Sequence, residues 1–114
     1  MSDEAIDMKE LLERDQDDKE LLMELLEIYL DDYPGKRKQL GEDVSAKNTE
    51  GIKSIAHSLK GAAGNISAKA LHSLFWQIEQ KTKNNDFSGV DSLISAIDQQ
   101  HAILEQYIQS LKKK

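Results

Sequence analysis

The chain has 114 residues, enough for one domain around a single core and too few for two independent ones. Charged residues make up 32% and aromatic residues 5%, with one proline and no cysteine, a balance that favours helices over an all-β fold and excludes disulfides and thiolate metal sites. The 21 acidic and 15 basic residues leave a formal charge of −6, which disfavours nucleic acid and anionic membrane surfaces as partners.

The opening "MSDEAIDMKE" is acidic and lacks a signal core, and no apolar run approaches the roughly 20 residues of a membrane span. The expectation is a soluble, cytoplasmic chain with no membrane insertion. Apolar residues at three and four spacing then predict a series of helices. A short one covers residues 5 to 14, with Ile6, Leu11 and Leu12 as its apolar contribution. The next starts at Asp17 or Asp18, acidic residues suited to a helix N-terminus, and carries Leu22, Leu25, Leu26, Tyr29 and Tyr33 on one face. Pro34-Gly35 interrupts it, but Leu40 and Val44 resume the same phase, so the reading is one long kinked helix and not a turn.

Asn48 or Thr49 can cap a third helix with a stripe of Ile52, Ile55, Ala56, Leu59, Ala63 and Ile66. It is expected to end near Asn65, with Ser67 capping the next. That fourth helix buries Leu71, Leu74, Phe75 and Ile78 and fades at "KNND". The last runs from about Ser88 to Lys112 with Val90, Leu93, Ile94, Ile97, Leu104, Ile108 and Leu111 on one stripe. Four long helices with short joints predict an all-α, antiparallel four-helix bundle over residues 1–114, a single domain with the short N-terminal helix as an end cap.

The stretch "IAHSLKGAAGNISA" stands out. Glycine in a helix interior costs about 1 kcal/mol relative to alanine, and Gly61 and Gly64 fall within two turns of each other. At about 100° per residue, His57 points away from the apolar stripe, and both glycines share its exposed face. Removing side chains there lets another protein's backbone approach the imidazole. Lys60 at i+3 and Lys53 at i−4 flank the ring, and an ammonium group is a good point-charge partner for an arriving phosphoryl group.

The string "AHSLKGAAGNISA" resembles the signature of the histidine-containing phosphotransfer (HPt) domain family, His-x-Leu-Lys-Gly followed by small residues, through His57, Leu59, Lys60, Gly61, Ala63, Gly64 and Asn65. The long second helix with its internal proline and the pattern through "LHSLFWQIEQ" extend the likeness over nearly the whole chain. The resemblance implies that His57 accepts a phosphoryl group from a receiver-domain aspartate and passes it to another response regulator. Lys60 would help hold the phosphoryl charge, and Lys53, Gly61 and Gly64 would belong to the docking surface. Glu79 would stand where the family often has a Gln or Glu that hydrogen-bonds the imidazole; spacing alone makes it an ordinary edge residue. Ser67 stands where many members have glycine.

The implied partners are receiver domains of response regulators or hybrid sensor kinases, with this chain a monomer. There is no Walker loop or kinase-like glycine-rich motif, so the expectation is a phosphocarrier without ATP chemistry or a cofactor, any Mg²⁺ being held by the receiver. A metal site is a weak rival, because His57, His72 and His101 lie on three predicted helices without a ligand-pair spacing. His101 reads as a bundle-seam residue and His72 as a boundary residue. A non-catalytic helical interaction module is the alternative function, but the intact His57 and Lys60 favour transfer. The phosphoacceptor domain of a sensor kinase would place an acid directly after the histidine, where Ser58 stands. Phe75 reads as core and Trp76 as a flank residue packed partly against a neighbour.

Overall fold

The computed structural model describes residues 5–14 and 18–113. Five helices follow one another: α1 (Met8–Arg14), α2 (Lys19–Ser45), α3 (Thr49–Asn65), α4 (Lys69–Lys83) and α5 (Val90–Lys112). Among the described residues there is no strand. Asp18 caps α2 by accepting from the Leu21 amide; the other expected start, Asp17, lies outside the described residues, as does Lys114. As the resumed apolar phase predicts, α2 runs unbroken through Pro34. Pro34 is exposed, so the backbone bond that its missing N–H forfeits lies where water can replace it. Of the two candidate caps for α3, Asn48 takes the position and accepts from Gly51 N at 3.2 Å.

Two helix starts and one cap differ from the sequence expectation. The first helix starts at Met8, not residue 5; Ile6 precedes it, fully buried, while the Asp7 carboxylate accepts from the Glu10 amide at 3.1 Å. The last helix starts at Val90, after Gly89 at φ +72°. At the α3–α4 joint α3 ends at Asn65 as expected, but Ser67 takes the left-handed conformation at φ +55°. Glycine adopts that conformation at least cost. Ser67 does not cap α4. Its buried hydroxyl donates to Glu10 at 2.9 Å and accepts from Arg14 at 3.1 Å, leaving Ala68 at the N-cap with no side-chain bond.

These bonds fasten α1 over the joint as the expected end cap. Arg14 also donates to the carbonyls of Gly64 (3.2 Å) and Asn65 (2.7 Å) at the end of α3. Lys69 reaches Glu10 at 2.8 Å and Asp7 at 3.2 Å.

The four long helices alternate in direction around the core. Lys36 of α2 meets Ser58 of α3, and Asp43 lies against Gly51. His57 of α3 meets Glu79 of α4, and Gly64 lies against His72. Arg37 of α2 pairs with Asp98 of α5, and Glu27 with Lys112. In each pair of helices one number rises as the other falls, which makes neighbours antiparallel. Leu26, Leu40, Ile52, Leu59, Phe75, Ile78, Ile97, Leu104 and Ile108 are buried at the centre. Burying each such side chain contributes about 1.5–3 kcal/mol. Leu25, Ile55, Leu74, Leu93, Ile94 and Leu111 are only partly buried and flank it. His101 fills the α2–α5 seam as expected, its ring stacked on Tyr33 at 3.6 Å and 8°.

Candidate functional site

His57 sits at mid-length of α3, on the side opposite Ala56, Leu59 and Ala63, which are buried. Its side chain is 70% exposed. The antiparallel register of α4 brings in Glu79, whose carboxylate is 20% exposed and spans two partners: Oε2 lies 3.0 Å from His57 Nδ1, and Oε1 lies 2.7 Å from Lys60 Nζ. Burial alone would raise the Glu79 carboxyl; the hydrogen bonds from Lys60 and then His57 outweigh it and hold the group below its ordinary 4.5. Glu79 is therefore an anion at neutral pH.

An ionised carboxylate can only accept, so Nδ1 carries the proton in this bond. In a neutral imidazole that leaves the lone pair on Nε2, at the other edge of a ring that stands in solvent. Glu79 thus fixes ring orientation and tautomer together, the usual effect of a carboxylate behind a reactive histidine. Its part is invisible in the spacing of α4 alone, because it depends on the register of two helices.

The other expected site residues divide. Nothing lies within 4 Å of where a Cβ on Gly61 would stand, so that turn is bare. Gly64 differs: a Cβ there would come 3.3 Å from the His72 ring of α4. Its missing side chain makes room for a neighbour inside the molecule, and the open surface narrows at that turn. Lys53 pairs with Glu50 on its own helix at 3.4 Å. Lys60 is adjacent to the histidine, with its charge directed to Glu79. Spacing alone does not point to Lys36, whose ammonium bridges Asp32 (2.6 Å) and the hydroxyl of Ser58 (2.8 Å), the residue next to His57. Among the described residues no three His, Asp or Glu side chains converge as a metal site would require. No helix of the described chain is long and apolar enough to cross a membrane.

Comparison with known proteins identifies the family and the fold. A protein-family model described as the Hpt domain matches residues 24–113. A search of curated proteins found no match. Among solved structures, that of histidine-containing phosphotransfer protein B (HptB) from Pseudomonas aeruginosa PAO1 is similar, with a TM-score of 0.89 at 19% identity over 98% of this chain and 97% of that one. At that identity the likeness is one of fold.

Proposed function

The chain belongs to the Hpt domain family, whose work is histidine phosphotransfer in phosphorelay signalling, and we propose that within it His57 is the phosphoacceptor. The observation that carries this reading is the exposed ring with Nδ1 held by Glu79 at 3.0 Å. Nε2 attacks the phosphorus of a receiver's aspartyl phosphate, the N–P bond forms, and the P–O bond to aspartate breaks with its electron pair leaving on the carboxylate. The phosphorylated ring retains the Nδ1 proton and is cationic, and the Glu79 carboxylate stabilises it. Return of the phosphoryl group to a second receiver reverses these steps.

Lys60 acts beside this centre, holding Glu79 in place and offering positive charge to the incoming phosphoryl group. Gly61 keeps the approach clear. Positioning and charge account for most of the catalysis in such a transfer. In this reading residues 1–114 work as one monomeric domain in the cytoplasm, a carrier without kinase activity of its own. Incubation with a phosphorylated receiver domain is expected to give acid-labile, base-stable label on the chain, absent from His57→Gln while its helical content persists. Label remaining on that variant would move the acceptor to His72 or His101 and overturn the assignment.

A further inference from the structure

The face that carries His57 continues onto α4. The His57–Glu79 and Gly64–His72 pairs fix the register, so the turn of α3 at Gly61 lies opposite the turn of α4 at Trp76. Trp76 shares a stripe with His72 and Glu79, at i−4 and i+3. It is 48% exposed, the largest of the exposed apolar side chains among the described residues. Half of this flank residue stands in water.

Two observations set this indole apart from a stray surface residue. In a chain that is 32% charged, residues 61–78 contain one formally charged side chain, Lys69. Lys69 is engaged with Asp7 and Glu10. Ser73, Gln77, Glu79 and Gln80 stand at i−3, i+1, i+3 and i+4 from Trp76 on α4. An aromatic side chain with a polar rim, its neighbour Glu79 already paired with Lys60 and His57, has the make-up of an interface centre. The second observation is the open space at Gly61, on the turn of α3 opposite that of Trp76.

We propose that Trp76 is the apolar anchor of the surface on which a receiver domain docks, with bare Gly61 as the floor beside it. The inference rests on the reading of His57 as phosphoacceptor and names how the partner is held. A partner whose aspartyl phosphate reaches Nε2 must cover the ground around it, and a specific interface takes about 800 Å² per side. Trp76 is three residues from Glu79, about 4.5 Å along the helix axis, and falls inside any such footprint. The matching patch on the receiver is therefore an apolar concavity beside the acidic pocket that carries its aspartate.

Trp76 is the one tryptophan of the chain, so its emission reports docking directly. The test titrates the His57→Gln chain, which docks without transfer, with the receiver domain that labels the wild type fastest, its own tryptophans replaced by phenylalanine. The expected result is a saturable blue shift of emission. Calorimetry should show Trp76→Ala weakening Kd on the order of 30-fold, Trp76→Phe recovering much of it, and Ile103→Ala, exposed on α5, leaving it unchanged. Unchanged Kd and transfer rate in Trp76→Ala, or unmoved emission at saturation, would overturn the anchor while His57 is still labelled. A blue shift on concentrating the chain alone would give the patch to a second copy and also overturn the proposal. Loss of labelling at His57 in the wild type is a separate failure, that of the acceptor assignment itself.

Discussion

His57 and His101 occupy opposite kinds of environment within one bundle. The ring of His57 stands in solvent with Nδ1 tied to a carboxylate. The ring of His101 lies against Tyr33 at 3.6 Å, with Tyr29 at 6.1 Å, and its Nδ1 is buried without a hydrogen-bond partner in the structure. Burial pushes the His101 imidazolium below the ordinary 6.5, against the pull of Glu105 and Asp98. It also pushes the Tyr33 phenol up to about 12 and raises Tyr29 further. The same side chain is thus open to a partner molecule on one face and a flat packing element on another. What separates them is access and the partner at Nδ1, not residue type.

The sharpest way to break this contrast is to remove each ring in turn. His57→Gln is expected to abolish labelling and leave the thermal midpoint nearly unchanged, because an exposed ring contributes little packing. His101→Ala should keep the label and lose roughly 1–3 kcal/mol, the usual cost of a cavity in a packed seam. Denaturant melts and receiver labelling on the same preparations check both. Comparable stability losses in the two variants would refute the division.

A smaller effect is expected at Glu79. Glu79→Gln retains the shape but removes the charge that stabilises a cationic ring, and should slow transfer about 10–100-fold, the usual range for a carboxylate that orients a functional histidine. Stopped-flow transfer rates, with binding measured separately, distinguish this from weaker docking. The ring should also lose its preferred tautomer, visible in the ¹⁵N shifts of His57.

Two glycines of α3 provide the next comparison. A Cβ on Gly51 would come 2.6 Å from the carboxylate of Asp43, which is buried, whereas Gly61 meets nothing. Gly51→Ala should therefore destabilise by about 1–3 kcal/mol through overpacking. Gly61→Ala should stabilise by up to about 1 kcal/mol through helix propensity. Gly61→Leu should keep the fold and slow transfer several-fold by obstructing the partner. Melts together with transfer rates test both; unimpeded transfer in Gly61→Leu would remove the reason given for that bare turn.

The smallest effect is the pH dependence of the seam. His101 is held neutral in the fold, so the unfolded chain binds more protons once the pH drops below about 6.5. Stability is then present above that value and declines as pH falls through it toward the lower folded pKa. His101→Phe, which preserves the stack but cannot take a proton, should flatten the part of the stability curve between neutral pH and the onset of carboxylate protonation. Denaturant melts at a series of pH values measure the difference.

Much of the bundle is legible from periodicity, since the same spacing that makes a stripe on a helix determines which face it buries. The exposure of His57 follows from that rule, as do the passage of α2 through Pro34 and the capping role of α1. Helix ends were less legible: Ile6 is buried ahead of its helix, and Ser67 is drawn into the bonds of Arg14 and Glu10 instead of capping α4. Those choices depend on a distant segment competing for local groups.

The sequence by itself determined that the chain is helical, which stripes lie inward, and that His57 faces water beside a bare turn, because these depend on residues within a few positions of one another. Only the tertiary structure decided that Glu79 holds His57 Nδ1, that His72 lies over Gly64, and that the turn of Trp76 lies opposite that of Gly61. These follow from the register of α3 against α4, which is set by how whole cores interlock and has no signature within either helix.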